Sequence, residues 1–161
     1  MFDYEFRPAT EDDYPGICRL VRSREELLWV YPAGRYPLTV GQLQELARKR
    51  TALTVAVEGK KIVGFADFYD FEAGKSVFIG NVIVSKVHRG RGLGRALVNT
   101  MLDKAFAEYA LPEVRISVFS ENSRALLLYA SLGFIPYAID TRVKGDGQRL
   151  ALIHMRLPRT L

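Results

Sequence analysis

The sequence contains a single cysteine, Cys18, and only two histidines, His88 and His154, among its 161 residues. One cysteine excludes an intrachain disulfide framework, and two histidines so far apart do not form a metal-binding motif. No activating partner for a cysteine nucleophile is evident beside Cys18, so we interpret it as a small core residue. We therefore expect neither a disulfide nor a metal ion.

Long apolar runs are also missing, because no segment approaches the roughly 20 apolar residues of a membrane helix. Residues 1–5 lack the basic and apolar stretches of a signal peptide. With 48% hydrophobic residues, the chain is long enough to bury a core of its own. We expect a single domain over 1–161, located in the cytoplasm and without a membrane partner.

Acidic residues are the scarcer charged type, with 18 of them against 23 basic residues and a net charge of +5. The basic residues are scattered, without the long run or the interleaved aromatic residues that are typical of nucleic-acid binding. The positive excess instead suits an anionic small ligand, and we expect no nucleic-acid partner.

Apolar residues alternate with polar ones in some segments and recur at helical spacing in others, which indicates a mixed α/β chain. No internal repeat or low-complexity tract interrupts this order. Strands are expected over 4–9, 53–58, 61–69, 76–85, 114–118, 134–142 and 150–157, and helices over 10–24, 39–50, 93–109 and 122–132.

The most informative segment is a basic glycine loop between an apolar strand and a helix. Glycines at 90, 92 and 94 leave backbone N–H groups uncovered, and arginines at 89, 91 and 95 add positive charge. The first turn of the following helix adds unpaired N–H groups and the positive end of the helix dipole. This combination predicts an anion-binding site that suits a pyrophosphate.

Two common nucleotide-binding loops fit this segment poorly. A Walker A loop ends in Gly-Lys-Ser/Thr, whereas Gly94 is followed by Arg95 and Ala96. A dinucleotide fingerprint opens the first βαβ unit of its domain, whereas this loop lies past the middle of the chain. Glu113 stands near the distance of the acidic ribose partner, but the preceding chain does not match.

The pattern Arg-x-x-Gly-x-Gly, formed by Arg89, Gly92 and Gly94, resembles the acetyl-CoA signature of the GNAT superfamily of N-acetyltransferases. The resemblance extends to a second segment, Asn122-Ser-Arg-Ala125-Leu-Leu-Leu-Tyr129-Ala-Ser-Leu-Gly-Phe134. This segment is similar to the superfamily motif Asn-x-x-Ala-x-x-x-Tyr-x-x-x-Gly-Phe.

The resemblance covers nearly the whole chain and implies a fold. This fold is α/β (α+β), with a mixed, mostly antiparallel sheet of about seven strands flanked by about four helices. Its fourth and fifth strands splay apart, and CoA enters the gap. Gly80 and Asn81 are candidates for a bulge in the fourth strand.

The resemblance also implies acetyl-CoA as cofactor and a set of residues that bind it. The backbone of the fourth strand would hold the pantetheine as an added strand does, the glycine loop would hold the pyrophosphate, and Asn122 would bond the pantetheine arm. The implied cofactor-binding residues are Val82, Ile83, Val84, Arg89, Gly90, Arg91, Gly92, Leu93, Gly94, Arg95, Asn122 and Ala125.

The implied reaction is direct attack of a primary amine on the thioester within a ternary complex. The resemblance places Tyr129 near the sulfur, where a phenol with an ordinary pKa near 10 is protonated at neutral pH and can donate to the leaving thiolate. Many family members have a glutamate on the fourth strand as general base, but 77–81 contain no carboxylate. The remaining candidates are a water relay or one of Asp67, Tyr69, Glu25 and Glu26.

The acceptor is expected to be an amine of a small molecule or peptide. In the family, the region equivalent to 29–37 overhangs the acceptor cleft, although a loop packed on the core by its aromatic residues fits the same sequence. The candidate acceptor residues are Trp29, Tyr31, Arg35, Tyr36 and Asn81.

Two other functions stay open at this point. The absence of a carboxylate from 77–81 is also compatible with a regulatory domain that binds CoA with little turnover. A nucleotide- or nucleic-acid-binding module is the third possibility, and it is weakened by the absence of Ser or Thr after Gly94. Both a monomer and a homodimer are compatible with the sequence.

Overall fold

A computed structural model describes residues 3–160, which form one seven-stranded sheet in the order β1-β2-β3-β4-β5-β7-β6. The strands are β1 (Glu5–Pro8), β2 (Thr51–Glu58), β3 (Lys61–Glu72), β4 (Ser76–Val84), β5 (Glu113–Phe119), β6 (Ile135–Val143) and β7 (Arg149–Pro158). The helices are α1 (Tyr14–Leu20), α2 (Arg24–Val30), α3 (Val40–Lys49), α4 (Leu93–Asp103) and α5 (Ser123–Ser131), and a π turn at Lys104–Glu108 continues α4.

The sheet is antiparallel except between β4 and β5, and the pairing of these two strands is short. The two strands pair in parallel only from Ser76 opposite Glu113 to Ile79 opposite Ile116. Beyond Ile79, β4 continues to pair with β3, and β5 continues to pair with β7. The ends of β4 and β5 therefore separate, which confirms the expected splayed fold.

The two faces of the sheet carry different helices, because successive strand residues point to opposite faces. Phe65 of β3 packs in a core cluster with Ile17 of α1 and Leu43 of α3. Phe68, three residues further along β3, points to the other face and packs in the opposite core with Met101 of α4 and Tyr129 of α5. The gap between β4 and β5 lies between these two layers.

The N-terminal helical region differs from the expected single helix over 10–24. The backbone becomes extended at Val21, and a new helix, α2, begins after Ser23, whose side chain accepts a hydrogen bond from Glu26 N. Residues 3–160 therefore contain five α-helices, where about four were expected. The spacing of Ser23 and Glu26 is that of a capping box and is a sequence signal for this helix start.

The bulge expected at Gly80 and Asn81 is present in β4. Ile83 pairs with Phe65 and Gly80 with Asp67, so two residues of β4 oppose one residue of β3. Asn81 has a φ of 50°, in the left-handed region. This bulge bends β4 at the point where it leaves β5.

Within residues 3–160, the helices are all too short or too polar to cross a membrane.

Candidate active site

A cavity of ≈ 920 Å³ occupies the gap between β4 and β5 and reaches from the glycine loop to α2. Many of the residues singled out by the sequence lie on its wall. These are Trp29, Asn81, Val82, Ile83, Val84, Arg89, Gly90, Gly92, Gly94, Arg95, Asn122, Ala125 and Tyr129.

The glycine loop presents open backbone N–H groups to this cavity. Gly90 and Gly92 have φ values of 76° and 85°, and a Cβ atom at either would have no heavy atom within 4 Å. Their role is therefore conformational, because side-chain-bearing residues rarely adopt this backbone. Gly92 is the N-cap of α4, and among the described residues no side chain caps the N–H groups of its first turn. These donors remain available to an anion.

Arg89 and Arg95 line the cavity, but both also hold the loop in place. Arg89 Nε donates to Val84 O at 3.1 Å, and its Nη2 lies 3.3 Å from Glu26 of α2. Arg95 Nη2 donates to Ser131 Oγ of α5 at 2.7 Å. These contacts connect the loop and the start of α4 to β4, α2 and α5.

Arg91 and Leu93 are the two loop residues that do not line the cavity. Arg91 is exposed. Leu93 is only 1% exposed and packs with Ala56 and Val63. Its side chain therefore anchors the start of α4, and only its backbone is available to a ligand.

Asn122 forms the start of α5 on the opposite wall. Its side-chain oxygen accepts a hydrogen bond from Ala125 N at 3.3 Å, which caps the helix. The side-chain NH₂ group is not needed for the cap and can donate into the cavity. Tyr129 lies two helical turns further along the same face.

Tyr129 lines the cavity and has 6% of its surface exposed. Burial raises the pKa of its phenol well above the ordinary range, and the nearby Tyr69 hydroxyl raises it further. The phenol is therefore protonated at neutral and mildly alkaline pH, as a proton donor must be.

A buried polar cluster lies at the β4 bulge. Asp67 has no exposed surface, and it accepts a hydrogen bond from Asn81 Nδ2 at 2.7 Å and pairs with Arg50 Nη1 at 3.1 Å. Burial raises the pKa of Asp67 to about 6, against the lowering effects of Arg50 and Asn81. The guanidinium of Arg50 in turn lies over the ring of Tyr69, 4.4 Å from its centroid.

Gly80 provides the space for this cluster. A Cβ atom there would lie 2.7 Å from Arg50 Nη1 and 2.6 Å from Tyr69 Cδ1. Such contacts are too close for real atoms, so the guanidinium packs directly on the bare backbone of β4. Arg50 and Tyr69 thereby line the cavity at the point where β4 and β5 separate.

The four base candidates are placed very differently. Asp67 is enclosed beneath Arg50 and Asn81 and does not line the cavity, whereas Tyr69 does. Glu26 also lines the cavity, but it pairs with Arg89 and accepts a hydrogen bond from Arg22 N at 2.7 Å. Glu25 is exposed outside it.

The loop after α2 contributes less to the cavity than the sequence suggested. Arg35 and Tyr36 line a separate hollow of ≈ 380 Å³, and the Tyr36 hydroxyl donates to Arg22 O at 3.1 Å. Tyr31 packs against the α1–α3 core. Of the five expected acceptor residues, Trp29 and Asn81 line the large cavity.

A chain of polar side chains leads from the cavity to the sheet surface. Ser117 of β5 lines the cavity, and its Oγ lies 2.7 Å from His154 Nδ1 of β7. His154 Nε2 lies 2.6 Å from Asp140 Oδ2 of β6. Sequence reasoning missed Arg50, Ser117 and His154, since their neighbours come from other strands.

Cys18 packs against the α1–α3 core, and burial raises the pKa of its thiol. The thiolate form of this residue is therefore disfavoured, which agrees with a packing role.

The sequence model of the acetyltransferase (GNAT) family matches residues 16–134, which is most of the chain. Among curated proteins, the chain is 35% identical over 54 residues to spermidine N(1)-acetyltransferase from Vibrio cholerae, covering 34% of this chain and 31% of that protein. It is 38% identical over 58 residues to N-alpha-acetyltransferase 30 from Saccharomyces cerevisiae, covering 36% of this chain and 32% of that protein. The matched part thus spans about a third of each relative.

The fold matches solved structures over nearly its whole length. The structure of smu.2055 from Streptococcus mutans has a TM-score of 0.78 at 27% identity, covering 96% of this chain and 98% of that one. Spermidine N-acetyltransferase from Vibrio cholerae in complex with CoA and spermine has a TM-score of 0.81 at 20% identity, covering 96% and 95%. With its glycine loop, splayed strands and α5 motif in the expected places, the chain belongs to the GNAT acetyltransferase family.

Proposed function

We propose that the protein transfers an acetyl group from acetyl-CoA to a primary amine of a small molecule or peptide. The observation that carries this proposal is the cavity between β4 and β5, which joins the uncapped N-terminus of α4 to the buried hydroxyl-bearing ring of Tyr129. In this proposal, the domain at 1–161 carries the activity in the cytoplasm, as a monomer or homodimer and without nucleic acid.

The glycine loop binds the pyrophosphate of acetyl-CoA in this proposal. Backbone N–H groups of residues 89–95 and the dipole of α4 supply the donors, and the charges of the loop arginines add long-range attraction. The separated part of β4, Val82–Val84, has main-chain groups facing the gap and binds the pantetheine as an added strand does. The side-chain amide of Asn122 donates to the same arm.

Acetyl-CoA supplies an activated acyl carbon, and the chain supplies proximity and protons. An amine held at the β4 bulge attacks the thioester carbonyl, and a tetrahedral intermediate forms within the ternary complex. As the carbon–sulfur bond breaks, Tyr129 donates its proton to the thiolate sulfur. The raised pKa of Tyr129 keeps its phenol protonated at neutral and mildly alkaline pH.

Release of free CoA thiol, measured with and without amines, tests the proposal. The panel contains amino acids, polyamines, aminoglycosides and peptides, and mass spectrometry identifies any N-acetylated product. We expect thiol release that depends on one class of amine and equals the amount of product formed. Tight CoA binding without amine-dependent release would instead identify a CoA sensor, and displacement of CoA by ATP or an oligonucleotide would identify a nucleotide-binding module.

A further inference from the structure

Basic side chains line the cavity wall both near the glycine loop and at the β4 bulge. Lys86, Arg89, Arg95 and Arg124 line it near the glycine loop or α5, which is the end proposed for CoA. At the β4 bulge, the end proposed for the acceptor, the wall is lined by Arg50 and Tyr69. Within the described residues, 3–160, Glu26 is the only carboxylate on this wall, and Arg89 neutralises it.

This arrangement is unfavourable for a polycationic acceptor. A polyamine needs several carboxylates to replace the water around its ammonium groups. Here the acceptor end instead presents a guanidinium, with a side chain that is 19% exposed. The carboxylate of Asp67 lies behind Arg50 with no exposed surface, so it orients the guanidinium rather than facing a ligand.

Arg50 is held in a geometry that leaves donors for a second anion. Its Nη1 is directed to Asp67, and its plane packs on the ring of Tyr69 and on the backbone at Gly80. An arginine has five N–H donors in a rigid fork, so one contact with Asp67 leaves further donors for the cavity.

We propose that Arg50 binds a carboxylate of the acceptor, and that the acceptor is an amino acid whose amine and carboxylate are close together. This proposal rests on the proposed acetyl transfer and names its substrate class. Arg50 lies over Gly80, two residues before the Val82 backbone proposed for the pantetheine, which is about 7 Å along a strand. An anion on Arg50 is therefore near the acetyl group, and a short spacer between amine and carboxylate fits this distance.

Binding and transfer measured on matched ligands test this subsite. The twenty standard amino acids are titrated calorimetrically into the CoA-loaded protein, and the best ligand is compared with its amide and its decarboxylated amine. The same compounds and spermidine are then assayed as acetyl acceptors. The variants are Arg50→Gln and, as a matched control from the neighbouring hollow, Arg35→Gln.

We expect the wild type to prefer the amino acid over its amide by about 10- to 150-fold in kcat/KM, since a charged hydrogen bond is worth about 1.5–3 kcal/mol. Arg50→Gln is expected to remove this preference by lowering kcat/KM for the amino acid and not for the amide. Arg35→Gln is expected to keep the preference. Spermidine as the best acceptor, equal losses on all amines, or no binding of any amino acid would overturn the carboxylate subsite.

Failure of the subsite and failure of acetyl transfer give different results. If kcat/KM for acetyl transfer does not depend on a carboxylate in the acceptor, the subsite is overturned and the proposed function still stands. Amino-acid binding that depends on Arg50, without thiol release, supports the subsite and overturns the proposed function.

The polar chain from the cavity to β6 carries a second inference independently of Arg50. The exposed Asp140 carboxylate can only accept, so Nε2 of His154 carries the proton and Nδ1 of the neutral ring accepts from the Ser117 hydroxyl. The hydrogen bond from His154 lowers the pKa of Asp140, which keeps it ionised. On the cavity side, Ser117 lines the wall together with Tyr69.

We infer that this chain removes the proton that the amine nitrogen loses after it attacks the thioester. This step assumes the proposed acetyl transfer. The nitrogen gives its proton to Ser117 Oγ, and Ser117 gives its own to His154 Nδ1. The resulting imidazolium is stabilised by Asp140 and releases the Nε2 proton to solvent, so one proton enters and one leaves.

Substitutions of Ser117 that keep or remove the hydroxyl test the relay. Ser117→Ala is expected to lower kcat by about 10- to 100-fold with CoA affinity unchanged, near the low end for a positioned proton acceptor. Ser117→Thr keeps the hydroxyl and should retain most of the rate. His154→Ala should show a similar loss that added imidazole partly restores.

Two outcomes would overturn the relay while wild-type turnover still supports acetyl transfer. One is a wild-type kcat in Ser117→Ala. The other is a loss that Ser117→Thr shares in full and that imidazole does not restore in His154→Ala, since this indicates packing rather than proton transfer.

Discussion

Gly92→Glu should abolish CoA binding in a protein that still folds. Gly92 is the N-cap of α4, and its neighbouring N–H groups are the donors proposed for the pyrophosphate. A glutamate there places bulk and negative charge where the anion must approach. The loss of two or three charged hydrogen bonds, each worth about 1.5–3 kcal/mol, corresponds to a weakening of CoA affinity by more than about 100-fold, measured by calorimetry.

The matched control is Gly92→Gln, which has similar bulk without the charge. Both variants have a side chain at a φ of 85°, so both should lose about 1–2 kcal/mol of folding stability, measured by thermal unfolding. The glutamine variant should keep more CoA affinity than the glutamate variant. Unchanged affinity in a folded Gly92→Glu protein would contradict the assignment of the phosphate loop.

Tyr129→Phe should lower kcat by about ten- to a thousandfold and leave CoA affinity nearly unchanged. The substitution keeps the ring that packs near Phe134 and removes the proposed proton donor of the leaving thiolate. Tyr14→Phe is a suitable control, because Tyr14 is a buried tyrosine in the opposite core. A wild-type kcat in Tyr129→Phe, measured where chemistry limits turnover, would leave Tyr129 as a packing residue.

The pH dependence should follow the raised pKa of Tyr129. The protonated phenol is the active form, so an upward shift extends the active range to higher pH. Wild-type kcat should therefore show no loss from this group up to about pH 10, the ordinary pKa of tyrosine.

The cofactor side of the site could be predicted from the sequence because its parts are contiguous. The glycine loop and the start of α4 are neighbours in the chain, and Asn122 and Tyr129 share one helix. Local rules for helix ends and helix faces therefore predict the arrangement within each segment, and the family resemblance predicts that the two segments share one site. The bulge at Asn81 was also signalled locally, by the glycine before it.

The acceptor side depends on pairings that one sequence does not reveal. Arg50 ends α3, and it becomes a cavity residue only because Gly80 lets it pack on β4. Ser117 meets His154 through the register of β5 with β7. Arg35, which was an expected acceptor residue, lines a separate hollow, and its backbone is hydrogen-bonded to Gln42.

The most direct test of this account is a crystal structure of the protein with CoA and an N-acetylated amino acid. We expect the pyrophosphate on the N–H groups of residues 89–95, the pantetheine along Val82–Val84, and the sulfur within hydrogen-bond distance of the Tyr129 hydroxyl. The product carboxylate should contact Arg50. CoA bound outside the gap between β4 and β5, or a sulfur remote from Tyr129, would contradict the account.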